Sequence, residues 1–270
     1  MPIFIDRHFI EDATKQALTD AHEKDINIQD KYNCKFLTYW FDEKRNTAFC
    51  LVDAPNKHAI HSAHDEAHGD VPHEILEVDP RIVQSFLGRM SDPEPDEETG
   101  EVEHDSAYRA IMFTDLKDST LMTSIHGDEK ALHLLHIHNA IVRNALRKYE
   151  GGEIKHTGDG IMASFPIIPN AVRCAKEIQE GFKSHNSKHP QETLYVKIGI
   201  SAGEPIEEHG DLFGSAVQLS ARLCSLANAE ETIVSQRVKD SCKGSGLVLE
   251  DSSLAELKGF LEKEKVYKVP

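Results

Sequence analysis

No stretch of this sequence approaches the roughly 20 consecutive apolar residues that a membrane-spanning helix requires, so a membrane span is not expected. Cationic charge is also scarce. Against 46 aspartates and glutamates stand only 30 lysines and arginines, a formal net charge of −16. An acidic surface repels phosphodiester backbones and anionic lipid headgroups, which argues against nucleic acid and membrane as partners. A free nucleotide is still admitted, provided metal ions screen its phosphates. Five cysteines (Cys34, Cys50, Cys174, Cys224, Cys242) are scattered with no CxxC pair, as in a protein kept reduced. The opening residues, Met1 to Arg7, lack the basic region and long apolar core of a secretory signal. Together these absences predict a cytoplasmic protein.

What is present divides in two. Ser91 to Asp105 reads SDPEPDEETGEVEHD, with eight acidic residues, two prolines and no lysine or arginine. Such a segment repels itself and buries no apolar surface, which predicts a solvated linker over 91–106 between domains of 1–90 and 107–270. The first domain reads β-α-β-β-α-β. Strands are expected at Ile3–Phe9, Lys35–Phe41, Thr47–Val52 and Glu74–Val78, and helices at Asp12–Lys24 and Asn56–Ala67, a ferredoxin-like split βαβ unit. A short helix over Arg81–Met90 would pack as its terminal element.

The second domain repeats the pattern on a larger scale. Ala110–Thr114 reads as a strand, followed by one helix through about Tyr149 and a hairpin of Glu153–His156 with Ile161–Phe165. Helices at Asn170–Ser184 and Ser215–Ala227 and strands at Tyr195–Ser201 and Glu264–Val269 follow. The fold class is α+β: two ferredoxin-like βαββαβ units, the second enlarged.

Three sets of residues carry chemistry. Asp115 emerges from an apolar strand, and Asp159 sits at a hairpin tip between Gly158 and Gly160. If the strands are neighbours, two hard carboxylate ligands converge for divalent cations; separately, each is an ordinary turn residue. Ser119 or Thr120 reads as the N-cap of the following helix, whose free N–H groups suit phosphate. In the first domain, His61, His64 and His68 fall at i, i+3 and i+7, one stripe of a helix, with His8 and His22 nearby. Imidazoles suit Ni2+ or Zn2+ rather than Mg2+; the alternative is a solvated helix face.

Three segments in order, FTDLKDST from Phe113, KHTGDG from Lys155 and DLFGSAVQLSARL from Asp211, resemble the class III adenylate and guanylate cyclases over about residues 107–270. The resemblance implies that Asp115, Asp159 and the Leu116 carbonyl hold two Mg2+ or Mn2+ ions. Leu116, Lys117, Asp118, Ser119 and Thr120 would border the triphosphate, with Lys258 near it. It also implies that Lys155 and Asp211 read adenine, a donor for N1 and an acceptor for the N6 amine, which favours ATP as substrate. Arg222 would stabilise charge on the transferring phosphoryl group. Gln218 departs from the asparagine of familiar members, which adds a methylene where the ribose is oriented. Family sites assemble across a dimer, so a homodimer is expected. Two other readings stay open: a catalytically silent nucleotide-binding or dimerising sensor, and a cyclase for GTP or a pyrimidine nucleotide. Residues 1–79 resemble small nickel-binding ferredoxin-like proteins through Arg7-His8-Phe9, Tyr39-Trp40, Cys50-Leu51-Val52, His64 and Ala67-His68-Gly69. That resemblance adds metal binding, and regulation by the first domain, to the expectations.

Overall fold

The computed structural model describes residues 1–10, 13–93, 106–204 and 214–270; most of the acidic stretch, 94–105, and Asp211 lie outside the described residues. The chain forms two compact units, one reaching to Tyr108 and the other beginning at Arg109.

The first unit runs β1 (Ile3–Phe9), α1 (Lys15–Ile28), β2 (Lys35–Asp42), β3 (Thr47–Asp53), α2 (Lys57–Ala67), β4 (Glu74–Val78) and α3 (Pro80–Leu87). Its antiparallel sheet has the order β2-β3-β1-β4, the ferredoxin-like arrangement. Strand alternation puts Phe4, Asp6 and His8 of β1 on one face. Phe4 joins the apolar core with Leu18 of α1 and with Ile60 and Ala63 of α2, so that face is the one the helices cover. Two polar side chains, Asp6 and His8, are thereby carried into the interior; they are 0% and 4% exposed. Asn56 starts α2 as a side-chain cap, accepting from the Ala59 N–H at 3.0 Å.

The second unit contains β5 (Arg109–Leu116), α4 (Ser119–His126), α5 (Asp128–Lys148), β6 (Gly152–His156), β7 (Ile161–Phe165), α6 (Ile168–Lys188) and β8 (Val196–Gly203). It continues with α7 (Gly214–Leu226), β9 (Thr232–Ser235), α8 (Gln236–Ser241), β10 (Glu250–Ala255) and β11 (Glu264–Lys268). Its sheet order is β10-β11-β9-β8-β5-β7-β6. The segment β8-β5-β7-β6 repeats the strand order of the first unit. Enlargement occurs at the β8 edge, where α7 crosses over to β9, parallel to β8, and β11 and β10 follow. The single helix expected after β5 through about Tyr149 is two helices, because Gly127 adopts φ +77° between them. The strands β9 and β10 and the helix α8 were not anticipated. Among the described residues, no helix is long and apolar enough to cross a membrane.

Candidate active site and a buried histidine cluster

β5 is an interior strand of the second unit, paired with β7 on one side and β8 on the other. Asp115 is its penultimate residue, and the hairpin between β6 and β7 brings Asp159 to the same end. The Leu116 N–H donates to the Asp159 carbonyl at 3.1 Å, and the Ile161 N–H donates to Thr114 Oγ1 at 2.9 Å. Glycine is required at 160: a Cβ there would lie 1.9 Å from the Thr114 carbonyl oxygen.

The two carboxylates are held by different donors. Lys197 of β8 stands directly opposite Asp115 in the sheet, its Nζ 2.5 Å from Asp115 Oδ2. Partial burial works against the Lys197 ammonium, but the hydrogen bond and charge of Asp115 hold its pKa above the ordinary value. The Ser119 hydroxyl donates to the Asp159 carboxylate. Ser119 is the first residue of α4, and the N-cap is Asp118, in a left-handed conformation at φ +58° and with no capping side-chain bond. Lys117 is exposed, its Nζ 3.8 Å from the Asp118 carboxylate, and Thr120 lies in the first turn of α4. A groove of about 460 Å³ is bordered by Asp115, Leu116, Asp118, Ser119, Ser124 and Asp159. A larger hollow of about 670 Å³ adjoins it, with Met122, Leu132 and Leu135 in its wall.

The other candidate residues lie elsewhere on this unit. Lys155 is exposed on β6, and Gln218 and Arg222 are exposed on α7. Arg222 Nε donates to the Lys258 carbonyl at 3.0 Å, which joins those two segments. None of Lys155, Gln218, Arg222 and Lys258 borders either hollow beside the carboxylates. Asp211 lies outside the described residues. Lys197 was missed by sequence reasoning; its one signal was a lysine inside the apolar strand Val196-Lys197-Ile198.

A family model described as Adenylate and Guanylate cyclase catalytic domain matches residues 103–269, more than half of the chain. The chain belongs to that family. It is 30% identical over 155 residues to the adenylate cyclase of Schizosaccharomyces pombe, a match covering 48% of this chain and 9% of that protein. The chain thus spans a small part of the length of such curated relatives. Among solved structures, the Adenylate/Guanylate Cyclase/Hydrolase from Silicibacter pomeroyi is 29% identical with TM-score 0.50, covering 60% of this chain and 96% of that one. The adenylyl cyclase CyaB from P. aeruginosa shares the fold at 21% identity and TM-score 0.54, covering 60% and 93%. Residues 4–78 match a second model, described as Nickel responsive protein SCO4226-like.

In that first unit the histidines gather, though not as a stripe. His64 of α2 points between two carboxylates: Nε2 is 2.9 Å from Asp6 Oδ2 and Nδ1 is 3.0 Å from Asp25 Oδ1. His8 Nε2 is 3.1 Å from Asp6 Oδ1, and His68 Nε2 is 3.2 Å from Asp25 Oδ1. Burial alone would raise the Asp6 pKa, but the charges of His64 and His8 hold it well below the usual carboxylate range. Burial likewise opposes charging His64, yet Asp6 and Asp25 push it up to about 10. Ligand atoms of Asp6, His8, Cys50 and His64 all lie within 4.8 Å of one another, as do those of Asp25, His64 and His68. His61 is exposed and belongs to neither group. His22 lines the adjoining cavity of about 120 Å³, but its Nε2 is 3.0 Å from Asp92 Oδ2 and it joins neither donor group. Asp6, Asp25 and Cys50 were not anticipated.

Proposed function

We propose that this chain is an adenylate cyclase, converting ATP to 3′,5′-cyclic AMP and pyrophosphate at a site completed by a second copy. The convergence of Asp115 and Asp159 on one groove carries this reading. Their oxygen-only chemistry suits Mg2+ or Mn2+, and the Lys197 ammonium beside Asp115 marks where positive charge is favoured. Two such ions would activate the ribose 3′-hydroxyl and neutralise the triphosphate. For its own part, the chain supplies the Leu116 carbonyl as a further oxygen and the Ser119 hydroxyl to orient the Asp159 carboxylate. Lys197, freed from Asp115, would turn to a phosphate oxygen. Lys155 would donate to adenine N1 while Asp211 accepts from N6. Arg222 would meet the charge developing on the transferring phosphoryl group.

The separation of the Arg222–Lys258 segment and Lys155 from the carboxylate groove supports a shared site. One chain would give the carboxylates and its partner the base-reading and arginine half, and two-fold symmetry would make two such sites. In the first unit, the nitrogen, sulfur and carboxylate donors around His64 fit Ni2+ or Zn2+ better than the harder ions, and we read this unit as a metal-responsive regulator. The decisive experiment incubates the full chain with each nucleoside triphosphate and Mn2+ or Mg2+ and identifies products by mass. Cyclic AMP, lost on Asp115→Asn or Asp159→Asn, supports the proposal. Cyclisation of GTP in preference to ATP refutes the substrate, and no cyclic product at all refutes the activity.

A further inference from the structure

The hairpin that presents Asp159 is fastened on a second side, by His156 and Asn139, to which the cyclase resemblance gives no role. His156, the last residue of β6, has both ring nitrogens engaged. Its Nδ1 lies 3.3 Å from the Gly158 backbone nitrogen, and its Nε2 lies 3.1 Å from Asn139 Oδ1 on α5. A backbone N–H only donates and a carbonyl oxygen only accepts. Nδ1 is therefore the acceptor, and Nε2 carries the hydrogen. The same Asn139 oxygen accepts from His138 Nδ1 at 3.0 Å.

This chain of bonds begins in the interior. His138 is 0% exposed and Asn139 is 7% exposed. Burial lowers the pKa of His138, which leaves it an uncharged donor to Asn139. The other end of the chain is Gly158, the neighbour of Asp159, held at φ +90°. From the opposite side, β5 grips the tip through the Asp159 carbonyl and the Ile161 amide. Those contacts fix residues 159 to 161, and the Thr157 N–H donates to the Gly160 carbonyl at 2.9 Å across the turn, while the Gly158 N–H is taken by His156.

We infer that His156, anchored to the core through Asn139, is a positioning residue that sets the hairpin tip so that the Asp159 carboxylate faces its ion. The inference rests on the reading of Asp159 as a metal ligand. Without the imidazole, Gly158 loses its acceptor, and a glycine in the left-handed region has other conformations open to it. The Asp159 carboxylate would then spend part of its time turned from the groove. Groups that orient a metal ligand are typically worth about 10- to 100-fold in metal affinity.

The test is a Mn2+ titration of the full chain followed by EPR, reading the binding step that Asp159→Asn removes. His156→Phe should weaken that step by at least about tenfold. Asparagine at this position can still accept from the amide two residues on, as Asx turns do, so His156→Asn should recover most of the loss. His156→Gln can reach Asn139 but not Gly158, and should stay weak. The asparagine–glutamine contrast is read in folded protein even if the phenylalanine variant folds poorly. Wild-type Mn2+ affinity in His156→Phe, with Asp159→Asn still defective, overturns the inference, as does recovery by glutamine and not asparagine. A Mn2+ affinity indifferent to Asp159→Asn overturns the metal reading itself.

Discussion

Replacing Gly160 by alanine would put a methyl carbon 1.9 Å from the Thr114 carbonyl oxygen. Carbon–oxygen contacts settle at about 3.3 Å or more, so the two must separate by roughly 1.4 Å. Neither partner yields easily: Thr114 is paired with Ile198 of β8 in the sheet, and its Oγ1 already accepts the Ile161 N–H. The tip retreats instead, and Asp159 moves with it away from Asp115. Overpacking of this kind costs about 1–3 kcal/mol, which in a unit of this size lowers Tm by on the order of 5 °C. The effect on chemistry is larger, since a misplacement of about 1 Å can cost on the order of 100-fold in rate. Calorimetry and cyclic-nucleotide production at saturating Mn2+ measure the two separately. A Gly160→Ala enzyme with turnover within about twofold of wild type would refute the argument that close approach of this tip to β5 builds the site.

Three further outcomes are expected. Isothermal titration of the full chain with Ni2+ or Zn2+ should show at least about tenfold weaker binding in His64→Ala, which both donor groups share, and unchanged binding in the exposed His61→Ala; the reverse order would restore the helix-stripe reading. The folded-state pKa of His138 lies below its ordinary 6.5, with burial as the main cause. The stability it confers is thus complete above that pH and declines as pH falls below it; His138→Gln should flatten the acid-side fall of Tm, and an unchanged slope would mean other groups set it. Asp159→Asn and Arg222→Ala should each be nearly inactive alone, yet recover roughly a quarter of wild-type activity when co-expressed, since about half of randomly paired dimers are mixed and each mixed dimer holds one intact site; a verified heterodimer with no activity would place the site within one chain.

How much of this was legible beforehand differs residue by residue. Asp115 and Asp159 announced themselves locally, one by ending an apolar run and the other by its flanking glycines, and the paired strands bring them to one sheet end. Lys197 was not legible, because its meaning lies in the β5–β8 register, and no local pattern encodes which residue stands opposite Asp115. Helical spacing put His61, His64 and His68 on one stripe, but spacing says nothing of what faces each turn. His64 meets Asp6 and Asp25, while His61 meets solvent. Asp6 was hidden inside the apolar strand Ile3–Phe9, where a charged residue looks like an edge feature until the helices are seen to cover its face. β9, at four residues, and α8, at six, are too short for periodicity to register. The break at Gly127 was lost because one glycine inside a helical pattern is usually tolerated.

The two units use one strand order to opposite electrostatic ends. β1 and β5 are topologically equivalent, each interior and each paired with two antiparallel neighbours, and each carries a key carboxylate. On β1 the carboxylate is Asp6 in mid-strand, beneath the helices, where an isolated charge would be too costly to keep. It is maintained because His64 and His8 offset its charge, and those same side chains, once deprotonated, could supply nitrogen donors to a soft, enclosed metal ion. On β5 the carboxylate is Asp115 at the strand's end, about a third exposed, with the Lys197 ammonium beside it. A group there keeps water within reach and can exchange its cationic neighbour at little cost. Moving the acid from the middle of this interior strand to its end thus gives two different donor environments. A buried site, already compensated by histidines, suits a resident transition metal. An open site of hard oxygens suits ions that arrive and leave with a nucleotide.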